Sequence, residues 1–85
     1  MKAQEFIKQY GWGEARTCLT YCSKRGDYIY YKNIEVNFQD LKQLVDAWEL
    51  VQSWGGINDS KVAVSVSRHK KYLERAIELV ESVDA

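Results

Sequence analysis

Residues 37–56 read NFQDLKQLVDAWELVQSWGG, and this stretch decides the fold class of the chain. Its apolar side chains recur at the three- and four-residue steps that line one face of an α-helix. We therefore predict one capped helix that stops at the pair Gly55 and Gly56. The main apolar face comprises Phe38, Leu41, Leu44, Val45, Trp48 and Val51, and an adjoining strip comprises Ala47, Leu50 and Trp54.

The apolar arc of this helix is too wide for an ordinary surface helix. Its clearly polar side comprises only Gln39, Lys42, Asp46, Glu49 and Ser53. A helix of this kind either lies between two neighbours in a small bundle or offers part of its surface to a partner.

Length and charge limit the function classes open to this chain. With 85 residues, it is expected to form a single domain (1–85) with a modest core. Twelve Lys and Arg residues balance twelve Asp and Glu residues, so no net field draws the molecule to nucleic acid or to an anionic membrane. The charges are uneven, since residues 34–60 hold one basic and five acidic groups, whereas residues 1–33 hold six basic and three acidic groups.

The sequence predicts a cytoplasmic protein without a membrane span. No apolar run approaches the roughly 20 residues that a span needs, and the N-terminus MKAQEFIKQ lacks the apolar core of a signal peptide. Cys18 and Cys22 are expected to be buried free thiols, because a disulfide is unfavourable in a reducing cytosol. One such pair and the distant His69 are too few ligands for zinc, so we expect no metal and no cofactor.

Three further helices follow from the pattern. A short amphipathic helix with Ala3, Phe6, Ile7 and Tyr10 is expected to end at Gly11, and a second is expected from about Gly13 to Ser23. A last helix has its apolar arc on Tyr72, Leu73, Ala76, Ile77, Leu79, Val80 and Val83.

Residues 27–37, DYIYYKNIEVN, change character, because aromatic and β-branched residues favour strands. We predict a small hairpin with Lys32 and Asn33 at its tip. Residues 61–67 alternate valine with small residues and are a candidate third strand. Residues 59–67 equally fit a helix capped by Asp59, and the pattern does not decide between the two. The expected fold class is α+β and mostly helical, with four or five short helices and a hairpin near residues 28–36.

No catalytic residue is expected, since no nucleophile and base, paired carboxylates or glycine-rich phosphate loop has informative spacing. Nucleic-acid binding is the alternative function. The central helix, the turn at Gly55 and Gly56 and the segment SKVAVSVSRHKK (residues 60–71) loosely resemble a helix-turn-helix. The candidate basic residues of this alternative are Arg68, Lys70, Lys71 and Arg75. The acidic helix beside them would oppose binding to phosphates.

The remaining signal is aromatic, with three Trp, six Tyr and two Phe residues in a chain of this size. Exposed Trp and Tyr residues dominate protein interfaces. We therefore expect a surface that binds another protein, with a homodimer as its simplest form. Its candidate residues are Leu50, Trp54, Tyr28, Tyr30 and Tyr31.

Three segments, QEFIKQYGW near the start, DLKQLVDAWELVQSWGGI in the middle and LERAIELVESV at the end, resemble short proteins encoded by tailed bacteriophages and prophages. The resemblance covers nearly the whole chain and is weakest over residues 57–70. It implies a phage or prophage origin and a bacterial cytoplasm, and it adds no catalytic motif or mechanism. The expected function is that of a non-enzymatic accessory protein that binds a host or phage factor.

Overall fold

The computed structural model describes residues 1–66 and 70–84. This part of the chain contains five helices and one three-stranded antiparallel sheet, which confirms the prediction of a mostly helical α+β fold. The elements in chain order are α1 (Ala3–Tyr10), α2 (Trp12–Tyr21), β1 (Ser23–Arg25), β2 (Tyr28–Tyr31), β3 (Ile34–Asn37), α3 (Phe38–Ser53), α4 (Ile57–Val66) and α5 (Lys71–Asp84). None of the helices in the described ranges is long and apolar enough to cross a membrane.

The chain forms two compact units, Met1–Val45 and Asp46–Ala85. Helix α3 contributes its first half to the first unit and its second half to the second unit. That the chain is one domain stays a prediction.

The two helices at the start of the chain meet at Gly11. As predicted, α1 ends there, where a φ of 91° suits glycine and the backbone N–H donates to the carbonyl of Ile7 at 2.7 Å. Helix α2 begins at Trp12 and ends at Tyr21. The prediction that it continues to Ser23 is wrong, because Cys22 adopts an extended conformation and Ser23 begins a strand.

The predicted hairpin is confirmed, with β2 and β3 joined by Lys32 and Asn33. Both residues have positive φ, 46° and 69°, as the tight type I′ turn requires. The third strand is β1, which pairs with β2 in the order β1-β2-β3. Residues 61–66 form part of a helix, so of the two alternatives left open for this segment the third strand is the wrong one.

The core of the first unit lies between the helices and the inner face of the sheet. Ile29 and Val36 are partners across β2 and β3 and are both almost fully buried. Around them the buried residues of this unit are Ala3, Phe6, Ile7, Ala15, Cys18, Leu41, Leu44 and Val45. Burial of this apolar surface is the main favourable contribution to the stability of the unit.

The second unit opens with the end of α3. The N–H of Gly56 donates to the carbonyl of Val51 at 3.0 Å and the N–H of Gly55 to that of Gln52 at 3.0 Å. This pattern is a Schellman motif with Gly55 at a φ of 94°. The predicted stop of the central helix is therefore confirmed.

Helix α4 resolves the choice between strand and helix in favour of the helix. It begins at Ile57, so Asp59 lies in its first turn and the predicted capping role is wrong. The side chain of Ser60 is fully buried, and its Oγ donates to the carbonyl of Val51 at 3.2 Å. The other buried residues of the unit are Ala47, Val51, Leu73, Ala76, Ile77, Val80 and Val83.

Candidate functional site

The outer face of the sheet carries the most prominent cluster of exposed aromatic side chains in the first unit. Successive residues of a strand point to opposite faces. Because Ile29 points into the core, its neighbours Tyr28 and Tyr30 point outward, and their side chains are 42% and 39% exposed. The register adds their cross-strand partners to the same face. We call this surface the tyrosine face and define it as Ser23, Arg25, Tyr28, Tyr30, Glu35 and Asn37.

Each tyrosine of this face lies between one residue of β1 and one residue of β3. Tyr30 is opposite Ser23 on one side and Glu35 on the other. The other row places Tyr28 between Arg25 and Asn37. Two phenol rings about 7 Å apart along the strand are thus bordered by a cation, a carboxylate and neutral hydrogen-bonding groups.

Two open depressions adjoin the rings. One of about 260 Å³ is lined by Ser23, Arg25 and Tyr30. A larger one of about 580 Å³ lies at Tyr28, and its other lining residues are Met1, Lys2, Ala3, Glu5, Glu35, Asn37 and Asp40. Both are shallow surface features, which suit side chains of a partner better than an enclosed small molecule.

Tyr31, also a sequence candidate, lies on the opposite face of the sheet. Its ring packs edge-on against Phe6 and Tyr10, with centroid distances of 5.3 and 5.2 Å. Its hydroxyl donates a hydrogen bond to the carboxylate of Glu14. Tyr31 is therefore half-buried and supports the packing behind the tyrosine face, while Tyr28 and Tyr30 form the face itself.

The candidates Leu50 and Trp54 belong to the second unit. Leu50 is half-buried, and Trp54, just past the end of α3, is 37% exposed. The Nζ atom of Lys70 lies 4.9 Å from the centroid of the Trp54 ring, within range of a cation–π interaction. Trp54 thus presents an aromatic surface with the ammonium group of Lys70 beside it.

Three basic residues of the nucleic-acid alternative, Lys70, Lys71 and Arg75, lie in the part of the chain that the structure describes. Helix α4 ends at Val66, and Arg68 lies outside the described residues. Lys70 is held over Trp54, Lys71 is exposed at the start of α5, and Arg75 lies 3.6 Å from the carboxylate of Glu78. None of these three described residues therefore lies on α4, the helix expected to carry the basic groups into a groove.

The two thiols lie in the first unit, one of them in its core. Burial is the first cause that raises the pKa of the Cys18 thiol to about 12, and a hydrogen bond with Cys22 adds to it. A thiol with so high a pKa stays protonated at neutral pH and is a poor nucleophile. Among the described residues, no group of three His, Cys, Asp or Glu side chains is placed to hold a metal ion.

Some surface residues were not expected from the sequence. The basic and polar neighbours of the tyrosines on β1, Arg25 and Ser23, were missed because no strand was predicted there and Ser23 was assigned to the second helix. Val62 and Val66 are one turn apart on α4 and are both exposed, and Tyr72 of α5 is also exposed although its position predicted burial. An i, i+4 pair of valines is a signal in the sequence only once the helical reading of that segment is chosen.

Comparison with protein-family models, with curated proteins and with solved structures found no match to this chain.

Proposed function

We propose that this chain is a non-enzymatic accessory protein of a phage or prophage, which binds another protein through the tyrosine face in the bacterial cytoplasm. The observation that carries this proposal is the pair Tyr28 and Tyr30, exposed side by side on one sheet face next to Arg25. Tyr and Arg are enriched among the residues that contribute most to protein–protein binding. The phage origin, and a host or phage factor as the partner, rest on the sequence resemblance alone.

The central strand gives both tyrosines a rigid mounting. Strand β2 pairs with β1 on one side and with β3 on the other, so the backbone beneath Tyr28 and Tyr30 is held in place. A tyrosine side chain has only two torsions to fix on binding. Ordering this surface against a partner therefore costs little conformational entropy, which favours a specific contact.

Charge favours a protein over a nucleic acid as the partner of this face. The depression beside Tyr28 is lined by the carboxylates of Glu5, Glu35 and Asp40 and by the cations of Lys2 and the Met1 amino group. These groups are of mixed charge and lack the cationic excess that neutralises a phosphate backbone in nucleic-acid binding. They suit a partner surface of mixed charge.

The second unit offers a separate contact surface, at Leu50 and Trp54. A partly exposed Trp at the end of a helix is a typical anchor of protein interfaces. With Lys70 beside its ring, the Trp54 side chain is still 37% exposed and can contact an apolar side chain of a partner. We propose this surface as a contact site in its own right, for the same partner or for a second copy of the chain.

An affinity pull-down from bacterial lysate tests the tyrosine face. The bait is the tagged full chain, used with and without nuclease and at low and high salt. The double variant Tyr28→Ser/Tyr30→Ser removes both rings from the tyrosine face. Tyr21→Ser is the matched control, because Tyr21 is 82% exposed at the end of α2 and lies outside that face.

We expect one stoichiometric protein that survives nuclease and salt, that Tyr21→Ser retains and that the double variant loses. Retention of the partner by the double variant would rule out the tyrosine face as its binding site. Recovery of nucleic acid alone, lost at high salt, would instead favour the alternative DNA-binding regulator that uses Arg68, Lys70, Lys71 and Arg75.

The surface at Trp54 is tested with Trp54→Ser and with Tyr72→Ser as its control, since both side chains are exposed in the second unit. Sedimentation of the purified variants reports self-association at the same time. A homodimer that Trp54→Ser dissociates and Tyr72→Ser leaves intact would assign the second surface to a second copy. Unchanged partner recovery and unchanged sedimentation for Trp54→Ser would remove Trp54 from the proposal.

A further inference from the structure

Strand β1 forms one edge of the sheet, since the strand order is β1-β2-β3. Its three residues, Ser23–Arg25, are all exposed. The extended backbone begins one residue earlier, at Cys22, with φ −78° and ψ 152°. A four-residue extended segment therefore runs along the edge of the sheet.

The register identifies which backbone groups of β1 face outward. Arg25 pairs with Tyr28 across the two-residue loop Gly26–Asp27, and the closing pair of such a loop exchanges hydrogen bonds. Hydrogen-bonded and non-hydrogen-bonded pairs alternate along an antiparallel ladder, so Lys24, opposite Ile29, belongs to the second kind. Its N–H and C=O consequently point away from β2, toward the edge.

The opposite side of the sheet agrees with this alternation. There the N–H of Phe38 donates to the carbonyl of Asp27 at 2.7 Å. By alternation, the odd-numbered residues of β2 form backbone hydrogen bonds with β3. Tyr28 and Tyr30 therefore bond toward β1, as the closing pair requires.

The two edges of the sheet differ in their present partners. At the β3 edge, the amino group of Met1 donates to the carbonyl of Glu35 at 2.8 Å. At the β1 edge, no backbone group within residues 1–66 and 70–84 pairs with the N–H or C=O of Lys24. An exposed edge of this kind can accept an added strand through main-chain hydrogen bonds.

Charge selects the occupant of this edge. Pairing of β1 with β1 of a second copy, centred on the middle residue, would place Lys24 opposite Lys24, and like charges directly opposite each other destabilise a sheet. The cations of Lys24 and Arg25 instead complement carboxylates on a neighbouring strand. Lys24 already lies on the inner side, with its Nζ atom 4.1 Å from the centroid of Phe38, while Arg25 lies on the tyrosine face.

We propose that the open edge of β1 receives an extended acidic segment of a partner protein, which adds to the sheet as a fourth strand. This inference rests on the proposed function, because the added strand would extend the tyrosine face toward the same partner. Consecutive acidic residues of that segment would face Lys24 on one side of the sheet and Arg25 on the other. Its next side chain would lie beside Ser23, one strand away from Tyr30.

The test is a titration of the isotope-labelled full chain, followed by NMR. The probe is an eight-residue peptide with blocked ends that alternates pairs of glutamates with β-branched residues, and its charge control has lysine in place of every glutamate. We expect the acidic peptide to shift the amide signals of Lys24 and Arg25 and to slow hydrogen exchange at the Lys24 amide. The lysine peptide is expected to do neither.

Two proline variants distinguish the loss of an outward-facing N–H of β1 from the loss of a hydrogen bond between β1 and β2. Lys24→Pro removes the outward N–H, which an edge strand tolerates, and it should bind the peptide about three- to tenfold more weakly than Lys24→Thr, the equivalent of one hydrogen bond. Ser23→Pro removes an N–H that bonds to β2 and is expected to lower the unfolding temperature instead. Lys24→Thr keeps the N–H, loses the charge and controls for the missing side chain. Arg25→Glu should weaken binding and needs no change of backbone.

Equal binding by Lys24→Thr and Lys24→Pro would overturn the inference, as would equal binding of both peptides or the absence of any shift at Lys24 and Arg25. Failure of the edge is distinguishable from failure of the proposed function. If Tyr28→Ser/Tyr30→Ser loses the lysate partner while Lys24→Pro and Arg25→Glu keep it, the tyrosine face is the binding site and the inference of an added strand is wrong. If the double tyrosine variant keeps the partner, the proposed binding through the tyrosine face is wrong, even if the peptide shifts the Lys24 amide signal.

Discussion

The hydroxyl of Tyr31 donates a hydrogen bond of 2.5 Å to the carboxylate of Glu14 and so links β2 to α2. This hydrogen bond is the first cause that raises the pKa of Tyr31 to about 12, and burial adds to it. The ring of the same residue packs against Phe6 and Tyr10. One side chain thereby joins the central strand of the sheet to α1 and α2.

Replacing Tyr31 with Phe should lower the unfolding temperature, because the ring contacts stay and the charge-assisted hydrogen bond to Glu14 is lost. Tyr30→Phe is the matched control, since that hydroxyl lies on the exposed tyrosine face. Thermal unfolding followed by circular dichroism compares the two variants. Equal midpoints for both would show that the bond to Glu14 contributes nothing to stability.

The raised pKa of Tyr31 also predicts a dependence on pH. In the unfolded chain this hydroxyl titrates near 10.0, whereas in the folded chain it titrates near 12. Between these values the folded state holds more protons than the unfolded state, so stability is fully present below pH 10 and falls as the pH rises toward 12. The loss measured over this range should be smaller in Tyr31→Phe than in wild type.

The two thiols should react at very different rates. Cys18 is buried with a raised pKa, while Cys22, one turn later, is half-buried. An aromatic disulfide reagent at neutral pH should modify one thiol promptly and the second only when the chain unfolds. Cys22→Ser should remove the fast phase and Cys18→Ala the slow one. Two fast phases in the wild type would contradict the buried position of Cys18.

Local chemistry was enough to predict the elements whose ends are fixed by backbone geometry. Gly11 and Gly55 adopt positive φ at helix ends, and Lys32 with Asn33 forms the turn of the predicted hairpin. In each case the special conformation belongs to a residue or a dipeptide that tolerates it. Such signals lie within a few residues of one another and need no knowledge of tertiary contacts.

The strand β1 could not be predicted in the same way. Its sequence, Ser-Lys-Arg, has no β-branched or aromatic residue and no buried side chain, so neither propensity nor alternation marks it. It is a strand because β2 lies beside it. Residues 61–66 show the opposite case, since alternating valines favour a strand while the glycine pair before them and the buried Ser60 suit a helix.

The candidate site likewise divides into residues that local sequence signals predict and residues that only the strand register brings together. The exposure of Tyr28, Tyr30 and Trp54 was expected from the excess of aromatic residues over what a small core holds. The pairing of Tyr28 with Arg25 depends on the register of β1 and was therefore invisible in the sequence. Tyr31 was included among the surface candidates because alternation alone does not say which face of a hairpin points inward.

Gly55 should be hard to replace. An alanine there would have to adopt a φ of 94°, and its Cβ would run into the carboxylate of Asp59. We expect Gly55→Ala to cost about 1–2 kcal/mol of unfolding free energy, the penalty of left-handed backbone for a residue with a Cβ atom. Denaturant titration measures it.

Gly13 is the matched control for this substitution. It lies inside α2, and an added Cβ would meet nothing within 4 Å. Gly13→Ala should stabilise the chain by about 0.5–1 kcal/mol, because alanine loses less conformational freedom in a helix. A destabilised Gly13→Ala variant would contradict the position of that residue in the second helix.

The hydroxyl of Ser60 distinguishes helical packing of α4 from any other conformation of this segment. Its Oγ donates to the carbonyl of Val51, which also accepts hydrogen bonds from the N–H groups of Trp54 and Gly56, so Ser60→Ala removes one of three hydrogen bonds to that carbonyl. Ser65, one turn beyond Lys61 on the same helix, donates its Oγ to the carbonyl of Val62 in an exposed position and is the matched control.

Both substitutions gain the same helix propensity, and only Ser60→Ala loses a buried hydrogen bond. We expect Ser60→Ala to be less stable than Ser65→Ala by about 1 kcal/mol in denaturant titration. Equal stabilities would mean that the Ser60 hydroxyl does not bond to the end of α3. The contact that holds α4 against that end would then be contradicted.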